Sequence, residues 1–422
     1  MAGLFLTSEE QAMLDGAEGP GVQRAMRIVV ALGRIYGAAE MVPIKHAQIA
    51  GVSYKNLGDA GVQFLSRWAE EGARVRVPAT LNPMGMERDR WQAWGIPPDF
   101  AQPQLSVLDA FARMGVSPTM SCTPYLWQGY LPARGDTLAW AESSAVVFAN
   151  SVIGARTNRE GGPSALAAAI VGRTARYGYH LDEERRAGLV VEVRCPVRTV
   201  ADFGALSYVV GKAAGQNVIW FADLAAWLPP LPGELTAGGP AVDRLKTLGA
   251  GLAAYGAVAL YHIAGYTPEA RDLGETLIRP DAQRMVVESL AEAYRVMDAD
   301  PDLRHIDLVA IGCPHASLSE IEEVARYLAG KTLATRLWVT TARATRERAA
   351  GLGYVQAIEA AGGEVVADTC AVVAPLHLLG VRSMATNAGK MACYAPMHSG
   401  VRMRFGDLEA CLKAAVTGEW GS

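Results

Sequence analysis

Hydrophobic positions recur along the chain in two patterns, one typical of helices and one typical of strands. Apolar residues at helical spacing follow Ser8 and continue over residues 22–32, which predicts two helices near the N-terminus. The small, apolar stretch 138–152 predicts a buried helix. Short apolar runs bounded by turn residues predict four strands, at 41–44, 73–77, 189–193 and 256–262.

The C-terminal part has the clearest pattern. A helix is predicted over 282–296, and from residue 302 onward strands alternate with helices. The strands of this part are predicted at 306–312, 336–340, 364–369 and 383–386. Such alternation indicates βαβ units and a parallel sheet, so the predicted fold class is α/β, with parallel or mixed sheets and flanking helices.

At 422 residues the chain is too long for one small core, and three domains are expected. The predicted boundaries give an N-terminal α/β domain (1–200), a middle domain (201–300) with a Pro/Gly-rich loop, and a C-terminal α/β domain (301–422).

Composition narrows the class of protein. Half of the residues are hydrophobic and 19% are charged, which favours large buried sheets over disorder. A net charge of −4 gives no electrostatic reason to expect a nucleic acid or membrane partner. No apolar run reaches membrane-spanning length, no signal peptide is recognisable, and six scattered cysteines indicate a reducing compartment. We therefore expect a soluble cytoplasmic protein.

Three isolated cysteines, Cys122, Cys313 and Cys370, each follow an apolar run that resembles a strand. In α/β sheets, cofactors collect at the carboxyl ends of strands, where three thiols could hold an iron–sulfur cluster with one iron open to substrate. Alternatively, the thiols are small buried hydrophobic groups, and no CxxC spacing supports a metal site. The adjacent prolines and polar residues favour the cluster.

Two polar segments are further candidates. The first combines a hydroxyl, a cation and an amide in Ser53, Lys55 and Asn56, although a capped helix N-terminus explains the same residues. The second places polar and charged groups beside paired glycines, in Asn158, Arg159 and Glu160. A solvated turn is the alternative for the second segment, but the apolar stretches on both sides favour a functional role.

His315 and Lys390 lie near strand ends in the C-terminal part. His315 follows Cys313 and precedes Ser317 or Ser319, either of which could cap a helix. A structural histidine is an equally good interpretation. Lys390 follows a glycine, but the GxxxxGK[ST] spacing of a nucleotide-binding loop is absent. Neither GxSxG nor GxGxxG occurs, so an acyl-transfer serine and a dinucleotide fold are not supported.

Together these motifs resemble the aconitase X family, specifically its large catalytic subunit. The resemblance extends over essentially the whole chain and is carried by residues 53–61, 122–125, 155–164, 312–317 and 368–370. It implies the three-domain α/β body of aconitase-type hydro-lyases. It also implies a cluster, [2Fe–2S] or [4Fe–4S], held by Cys122, Cys313 and Cys370.

The resemblance also implies a partner. Aconitase-like enzymes need a swivelling domain, which in that superfamily carries the serine that acts as base, and the present chain ends soon after its last motif. We expect a separate small subunit to complete the site, and the chain alone to be inactive.

Two substrates are compatible with the resemblance. Bacterial members dehydrate cis-3-hydroxy-L-proline to Δ1-pyrroline-2-carboxylate, and archaeal members dehydrate mevalonate 5-phosphate to trans-anhydromevalonate 5-phosphate. We expect the hydroxyproline reaction, because no dense basic cluster for a phosphate is visible and the alanine and arginine usage is typical of a GC-rich bacterial genome. A cluster-bearing scaffold or regulatory protein without activity is a third possibility.

Both reactions remove a proton α to a carboxylate and expel a β-hydroxyl, which assigns roles to the candidates. The expected catalytic residues are His315, which could protonate the leaving hydroxyl, with Lys55 and Glu160. The expected substrate-binding residues are Ser53, Asn56, Asn158, Arg159 and Lys390. Among these candidates the cations Arg159, Lys55 and Lys390 are suited to holding the carboxylate.

Overall fold

The computed structural model describes residues 3–127 and 129–421, and these residues form fifteen α-helices and fourteen strands. The helices are α1 (Ser8–Asp15), α2 (Pro20–Ile35), α3 (Tyr54–Glu70), α4 (Pro98–Arg113), α5 (Ser143–Phe148), α6 (Gly162–Val171), α7 (Val200–Ala214), α8 (Pro240–Gly256), α9 (Pro268–Leu273), α10 (Ala291–Met297), α11 (Leu318–Leu328), α12 (Arg343–Gly351), α13 (Tyr354–Ala360), α14 (Gly389–Ser399) and α15 (Leu408–Thr417). The strands are β1 (Met41–Pro43), β2 (His46–Ile49), β3 (Ala79–Leu81), β4 (Leu138–Trp140), β5 (Arg173–Ala175), β6 (Ala187–Val193), β7 (Ile219–Phe221), β8 (Tyr261–Ile263), β9 (Ile278–Val287), β10 (Leu308–Ala316), β11 (Arg336–Thr341), β12 (Glu364–Val366), β13 (Ser383–Thr386) and β14 (Arg402–Phe405).

Parallel sheets dominate the architecture. The largest sheet has the strand order β12-β11-β10-β13-β14, with β10 at its centre and every pairing parallel. Two smaller parallel sheets have the orders β8-β7-β6-β9 and β3-β2-β4, and β1 pairs antiparallel with β5. The predicted α/β class, with parallel and mixed sheets and flanking helices, is confirmed.

Helices cover the sheets and form three main hydrophobic clusters. One cluster surrounds the three-stranded sheet and includes Trp68 and Leu166. The second packs α7 and α8 against the four-stranded sheet, with Leu206 and Leu248 fully buried. The third lies on the five-stranded sheet, where Ile321 of α11 is fully buried. The first cluster also contains residues of the five-stranded sheet, so these two regions share packing.

The strand predicted at 73–77 is wrong, and the helix predicted over 138–152 is only partly right. Residues 73–77 form an irregular segment whose N–H groups bond to helix-end carbonyls, with Val75 N donating to Met114 O at 2.9 Å and Arg76 N to Ala169 O at 2.8 Å. The stretch 138–152 begins as β4 and becomes helical only at Ser143. A continuous apolar run is compatible with either a buried strand or a buried helix, which explains the second error.

Two errors also fall in the middle of the chain. The strand predicted over 256–262 starts only at Tyr261, because α8 extends to Gly256. The helix predicted over 282–296 starts only at Ala291, because the preceding residues belong to β9 and pair with β6. In both places tertiary pairing overrides the local pattern. The strands predicted at 189–193, 336–340 and 383–386 are confirmed by β6, β11 and β13.

Candidate active site

The three candidate cysteines are buried, but they reach the site in different ways. Cys313 lies within β10, Cys370 lies in the loop after β12, and Cys122 lies in the loop before a short 3-10 turn at Pro124–Leu126. Only 7% of Cys122 is exposed, 9% of Cys313 and 7% of Cys370. The run before Cys122 is a loop rather than the strand suggested by its apolar character.

Gly312 allows β10 to approach β11 closely beside Cys313. Its φ of 95° lies in the left-handed region, and a Cβ at this position would press into the carbonyl oxygen of Thr340. The register between β10 and β11 shifts between Ile311 and Ala316, so the strand bends where Cys313 is located.

His315 connects the loops that carry the other two cysteines. Its backbone N–H donates to Cys122 Sγ at 3.2 Å, and its Nε2 lies 3.1 Å from Thr369 O. Because a carbonyl can only accept, Nε2 carries the proton, and Nδ1 accepts from Ser121 Oγ at 3.3 Å. Burial lowers the pKa of His315 to about 4, so the imidazole is neutral at neutral pH.

A buried ion pair between Lys390 and Glu142 lies beside the thiols. The Lys390 ammonium contacts Glu142 Oε1, while Asn82 Nδ2 donates to Glu142 Oε2 at 2.7 Å and Ser144 Oγ donates to Oε1 at 3.0 Å. Burial disfavours the charged carboxylate, but Lys390 and the hydrogen bonds outweigh it and lower the pKa of Glu142. Burial likewise opposes the Lys390 charge, yet Glu142 and the thiol groups raise the pKa of Lys390.

The three thiols interact electrostatically with one another and with Lys390. Burial raises the pKa of Cys122 to about 12 and the pKa of Cys313 well above its usual value. Cys370 raises both pKa values further, whereas Lys390 lowers them. Lys390 is therefore the cation that favours thiolates at this position.

Two residues of the first polar segment contact the loop that follows Cys370. Lys55 Nζ donates to Ala374 O at 3.3 Å and to Ser399 Oγ at 2.9 Å, and Ser53 Oγ donates to Val373 O at 3.2 Å. Burial lowers the pKa of Lys55, and the nearby Cys370 opposes this effect. Asn56 is exposed, and Ser53 precedes α3 without capping it through its hydroxyl.

In the second polar segment, Asn158 and Glu160 are buried and form hydrogen bonds within the protein. Asn158 Nδ2 donates to Tyr177 O at 3.0 Å, and its Oδ1 accepts from Tyr179 N at 2.9 Å. The Glu160 carboxylate accepts from Ser164 Oγ at 2.6 Å and from Thr174 Oγ1 at 3.3 Å, while burial raises its pKa.

Arg159 is exposed, in contrast to its two neighbours. Burial raises the pKa of Tyr394, and both Lys390 and Arg159 oppose that shift. Tyr394 and Lys390 both belong to α14, so Arg159 and Lys390 act on the same phenol group of that helix.

A second buried cation, Lys246, supports the site from α8. Its Nζ donates to His315 O at 3.1 Å, pairs with Glu320, and lies 3.5 Å from Asp243 Oδ1. Glu320 also accepts from Ser317 N at 2.9 Å, as part of the capping box that starts α11. The predicted serine cap before Glu320 is confirmed in Ser317.

Sequence reasoning missed Glu142, Asn82 and Lys246. A detectable signal existed for Glu142, which is a carboxylate within the otherwise apolar stretch 138–152. Lys246 lies on a helix that is buried over most of its length, where an unpaired charge would be costly. Asn82 has no such signal, because its role depends on Glu142 being adjacent in space.

The donor set suits an iron–sulfur cluster. Across residues 3–127 and 129–421, no group of three or more His, Cys, Asp or Glu side chains could hold a single metal ion. In a [4Fe–4S] cluster each thiolate binds a different iron atom, so the three sulfurs need not converge on one point. Two buried hydroxyls beside the cysteines, Tyr125 Oη and Thr369 Oγ1, have no hydrogen-bond partner in this part of the chain. Cluster sulfurs accept hydrogen bonds and would satisfy such donors.

No helix within the described ranges is long and apolar enough to cross a membrane.

The parallel α/β architecture matches that of a solved aconitase X, which places the chain in the class of aconitase-type hydro-lyases. The chain belongs to the aconitase X family. Models of the first, second and third domains of aconitase X match residues 3–183, 187–295 and 306–417. The predicted domain boundaries at 200 and 300 stay predictions.

A solved structure and two relatives support this assignment. The aconitase X of Thermococcus kodakaraensis, solved in a holo-form, superimposes with a TM-score of 0.86 at 44% identity, covering 98% of this chain and 100% of that chain. The phosphomevalonate dehydratase large subunit of Methanothermobacter thermautotrophicus is 46% identical over 96% of this chain and 97% of its own length. The cis-3-hydroxy-L-proline dehydratase of Pseudomonas aeruginosa is 35% identical over 99% of this chain and 71% of its own length.

These similarities confirm the predicted family, the aconitase-like fold and the enzyme class, since the named relatives are dehydratases. Aconitase-like proteins typically carry an iron–sulfur cluster. The predicted preference for hydroxyproline is less well supported, because the more similar relative is a phosphomevalonate dehydratase subunit.

Proposed function

We propose that this chain is the large subunit of a phosphomevalonate dehydratase, which converts mevalonate 5-phosphate to trans-anhydromevalonate 5-phosphate. The observation that carries the proposal is the 46% identity to such a subunit over nearly the full length of both chains. Dehydration of cis-3-hydroxy-L-proline is the second candidate, favoured by the 35% identity to an enzyme of that activity.

In this proposal Cys122, Cys313 and Cys370 hold the iron–sulfur cluster. When bound, such a cluster would supply a Lewis acid for the leaving hydroxyl. The Lys390 ammonium partly offsets the burial that disfavours the thiolate forms, and the N–H group of His315 holds the Cys122 sulfur.

We assign binding of the substrate carboxylate to the cations at the edge of the site. Arg159 is exposed and can form charge-assisted hydrogen bonds with a substrate carboxylate. Lys55 is half-buried near Cys370, so a carboxylate there would be less screened by solvent than at the surface. Lys390 is already paired with Glu142, and we assign it to the electrostatics of the thiols rather than to direct substrate binding.

His315 acts as a positioning residue in this scheme. Both imidazole nitrogens are engaged by the protein, through Ser121 and Thr369, and the residue is fully buried. These contacts favour a role in aligning the Cys122 and Cys370 loops. They do not favour the role of catalytic proton donor that was expected from the sequence. The carboxylate of Glu160 is likewise enclosed by two hydroxyl donors, which favours a structural role.

A small subunit completes the proposed enzyme and supplies the base that removes the α-proton. The support is the name of the similar protein from Methanothermobacter thermautotrophicus, which is a large subunit and so implies a smaller partner.

The proposal is tested with the purified chain, its small subunit and an anaerobically reconstituted cluster. We expect turnover of mevalonate 5-phosphate and little or none of cis-3-hydroxy-L-proline, measured by product formation. Turnover of hydroxyproline alone would establish the second candidate. Iron binding without turnover of either substrate would establish the inactive scaffold.

Cysteine variants test the cluster. Cys313→Ala should lose both the visible absorption of the cluster and the dehydratase activity. Cys195→Ala is the matched control, because Cys195 is equally buried but lies in the loop after β6. Full activity of Cys313→Ala would show that the ligand assignment is incorrect.

A further inference from the structure

Thr369 carries a buried hydroxyl with no hydrogen-bond partner in the part of the chain that the structure describes. The residue is fully buried, and its Oγ1 has no hydrogen-bond partner among residues 3–127 and 129–421. The main chain of the same residue is fully engaged, with its N–H donating to Ala367 O at 2.8 Å and its carbonyl accepting from His315 Nε2 at 3.1 Å. A buried hydroxyl without a partner is unfavourable, so its retention needs an explanation.

The turn around Thr369 is held firmly. Asp368 has a φ of 64°, in the left-handed region, and its carboxylate pairs with Arg343 and lies 3.4 Å from Arg88 Nε. Its carbonyl accepts from Met84 N at 2.9 Å. These contacts fix the backbone on one side of Thr369, Cys370 follows on the other, and the side chain of Thr369 has no access to solvent.

We infer that the Thr369 hydroxyl donates a hydrogen bond to a sulfur of the cluster bound at Cys370. The inference rests on the proposed function, because it requires that cluster. Hydrogen bonds to cluster sulfurs stabilise the reduced state, which raises the reduction potential, and they help to retain the cluster. Thr369 is a positioning residue, since it acts on the cluster and not on the substrate.

Thr80 provides a matched control. It is 1% exposed, lies in β3, and its Oγ1 also has no partner within the described ranges. Thr80 is not adjacent to any of the three cysteines in sequence, and it lines a cavity of about 240 Å³ to which none of these cysteines contributes. Both threonines can be changed to the isosteric valine.

The experiment compares Thr369→Val, Thr369→Ser and Thr80→Val in the two-subunit complex, without and with the reconstituted cluster. Without the cluster, Thr369→Val should unfold at the wild-type temperature or higher, because an unpartnered hydroxyl has been removed. With the cluster, the same variant should show a more negative reduction potential and about tenfold faster cluster loss. Thr369→Ser should recover the wild-type values, and Thr80→Val should leave the cluster unchanged.

The inference would be supported if Thr369→Val kept or raised the unfolding temperature without the cluster but weakened cluster retention when the cluster is bound. Equal effects on both forms, or a wild-type potential and cluster lifetime in Thr369→Val, would overturn it, since the hydroxyl would then be bound to water or to nothing. If Thr369→Val does not fold, Thr369→Ala gives the same comparison. Failure of the wild-type complex to take up any cluster would overturn the proposed function, and the inference with it.

Discussion

The buried charges of Lys390 and Glu142 form a pair that depends on both members. Lys390 and Glu142 are each about 10% exposed, so neither charge has enough water to be stable alone. Asn82 and Ser144 satisfy further acceptor positions of the carboxylate. The pair therefore holds a fixed positive charge beside the thiols without leaving an uncompensated ion in the core.

Removal of one partner should expose this dependence. We expect Lys390→Met to lower the free energy of unfolding by about 3 kcal/mol, because it leaves the Glu142 carboxylate buried without its cation. Urea denaturation measures the change. The double variant Lys390→Met/Glu142→Gln should recover part of the loss, and Lys413→Met, at an exposed position of α15, should have little effect. Equal effects of the two lysine changes would contradict the argument.

His46 provides a pH dependence that can be isolated. Burial lowers its pKa to about 3, and its Nδ1 accepts from Trp140 Nε1 at 3.0 Å. Since the ordinary pKa is near 6.5, the unfolded chain takes up this proton first as the pH falls. The stabilising contribution is present above pH 6.5 and is lost towards pH 3, at a cost of about 3 kcal/mol by pH 4.

The His46→Asn variant should therefore have a flatter pH profile, because asparagine keeps an acceptor for Trp140 but does not titrate. The measurement is the free energy of unfolding between pH 7 and pH 4.5. His305→Asn is the control, since 76% of that side chain is exposed. A His46→Asn profile as steep as that of the wild type would show that this residue does not carry the effect.

At the scale of elements, β10 is the strand on which the site depends, and Gly312 sets its geometry. We expect Gly312→Ala to destabilise the protein by about 3 kcal/mol, because it combines a left-handed φ with a collision against Thr340 O. Gly330→Ala is a sharp control: its φ is 72°, but no atom lies within 4 Å of the added Cβ. It should cost about 1 kcal/mol. Thermal unfolding of both variants separates the effect of the collision from the effect of the backbone strain. Equal losses of stability in the two variants would show that the collision does not contribute.

The elements that sequence predicts well are those whose local signals agree with their surroundings. The start of α11 was predictable, because Ser317 and Glu320 form a capping box within four residues. The β9 region was not, because its strand character comes from pairing with β6 across the sheet. The three cysteines were predictable as candidates because few other residues perform their chemistry. The Lys390–Glu142 pair was not, since its members are separated by 248 positions.

For the whole molecule, Lys246 links two regions that match different domains of aconitase X. It belongs to the region matching the second domain, whereas Glu320 and His315 belong to the region matching the third. The cation therefore joins α8 to the end of β10 and the first turn of α11. Its ammonium is fully buried, so this link is inaccessible to screening by salt.

Lys246→Met should weaken this link and lower the free energy of unfolding by about 3 kcal/mol, because Glu320 would remain buried without its cation. Amide hydrogen exchange should show the largest loss of protection in α11, ahead of the distant helix α2. Lys246→Met/Glu320→Gln should restore part of the protection. A loss spread evenly over the chain would indicate general destabilisation instead.

The separation of the three cysteines along the chain has a consequence for biosynthesis. Cys122 and Cys370 lie 248 positions apart, and His315 contacts both of their loops. During translation the first thiol leaves the ribosome long before the last, so no three-thiol site exists on the nascent chain. In the proposed enzyme, a cluster bound by all three thiols can therefore form only after the C-terminal part of the chain has been synthesised.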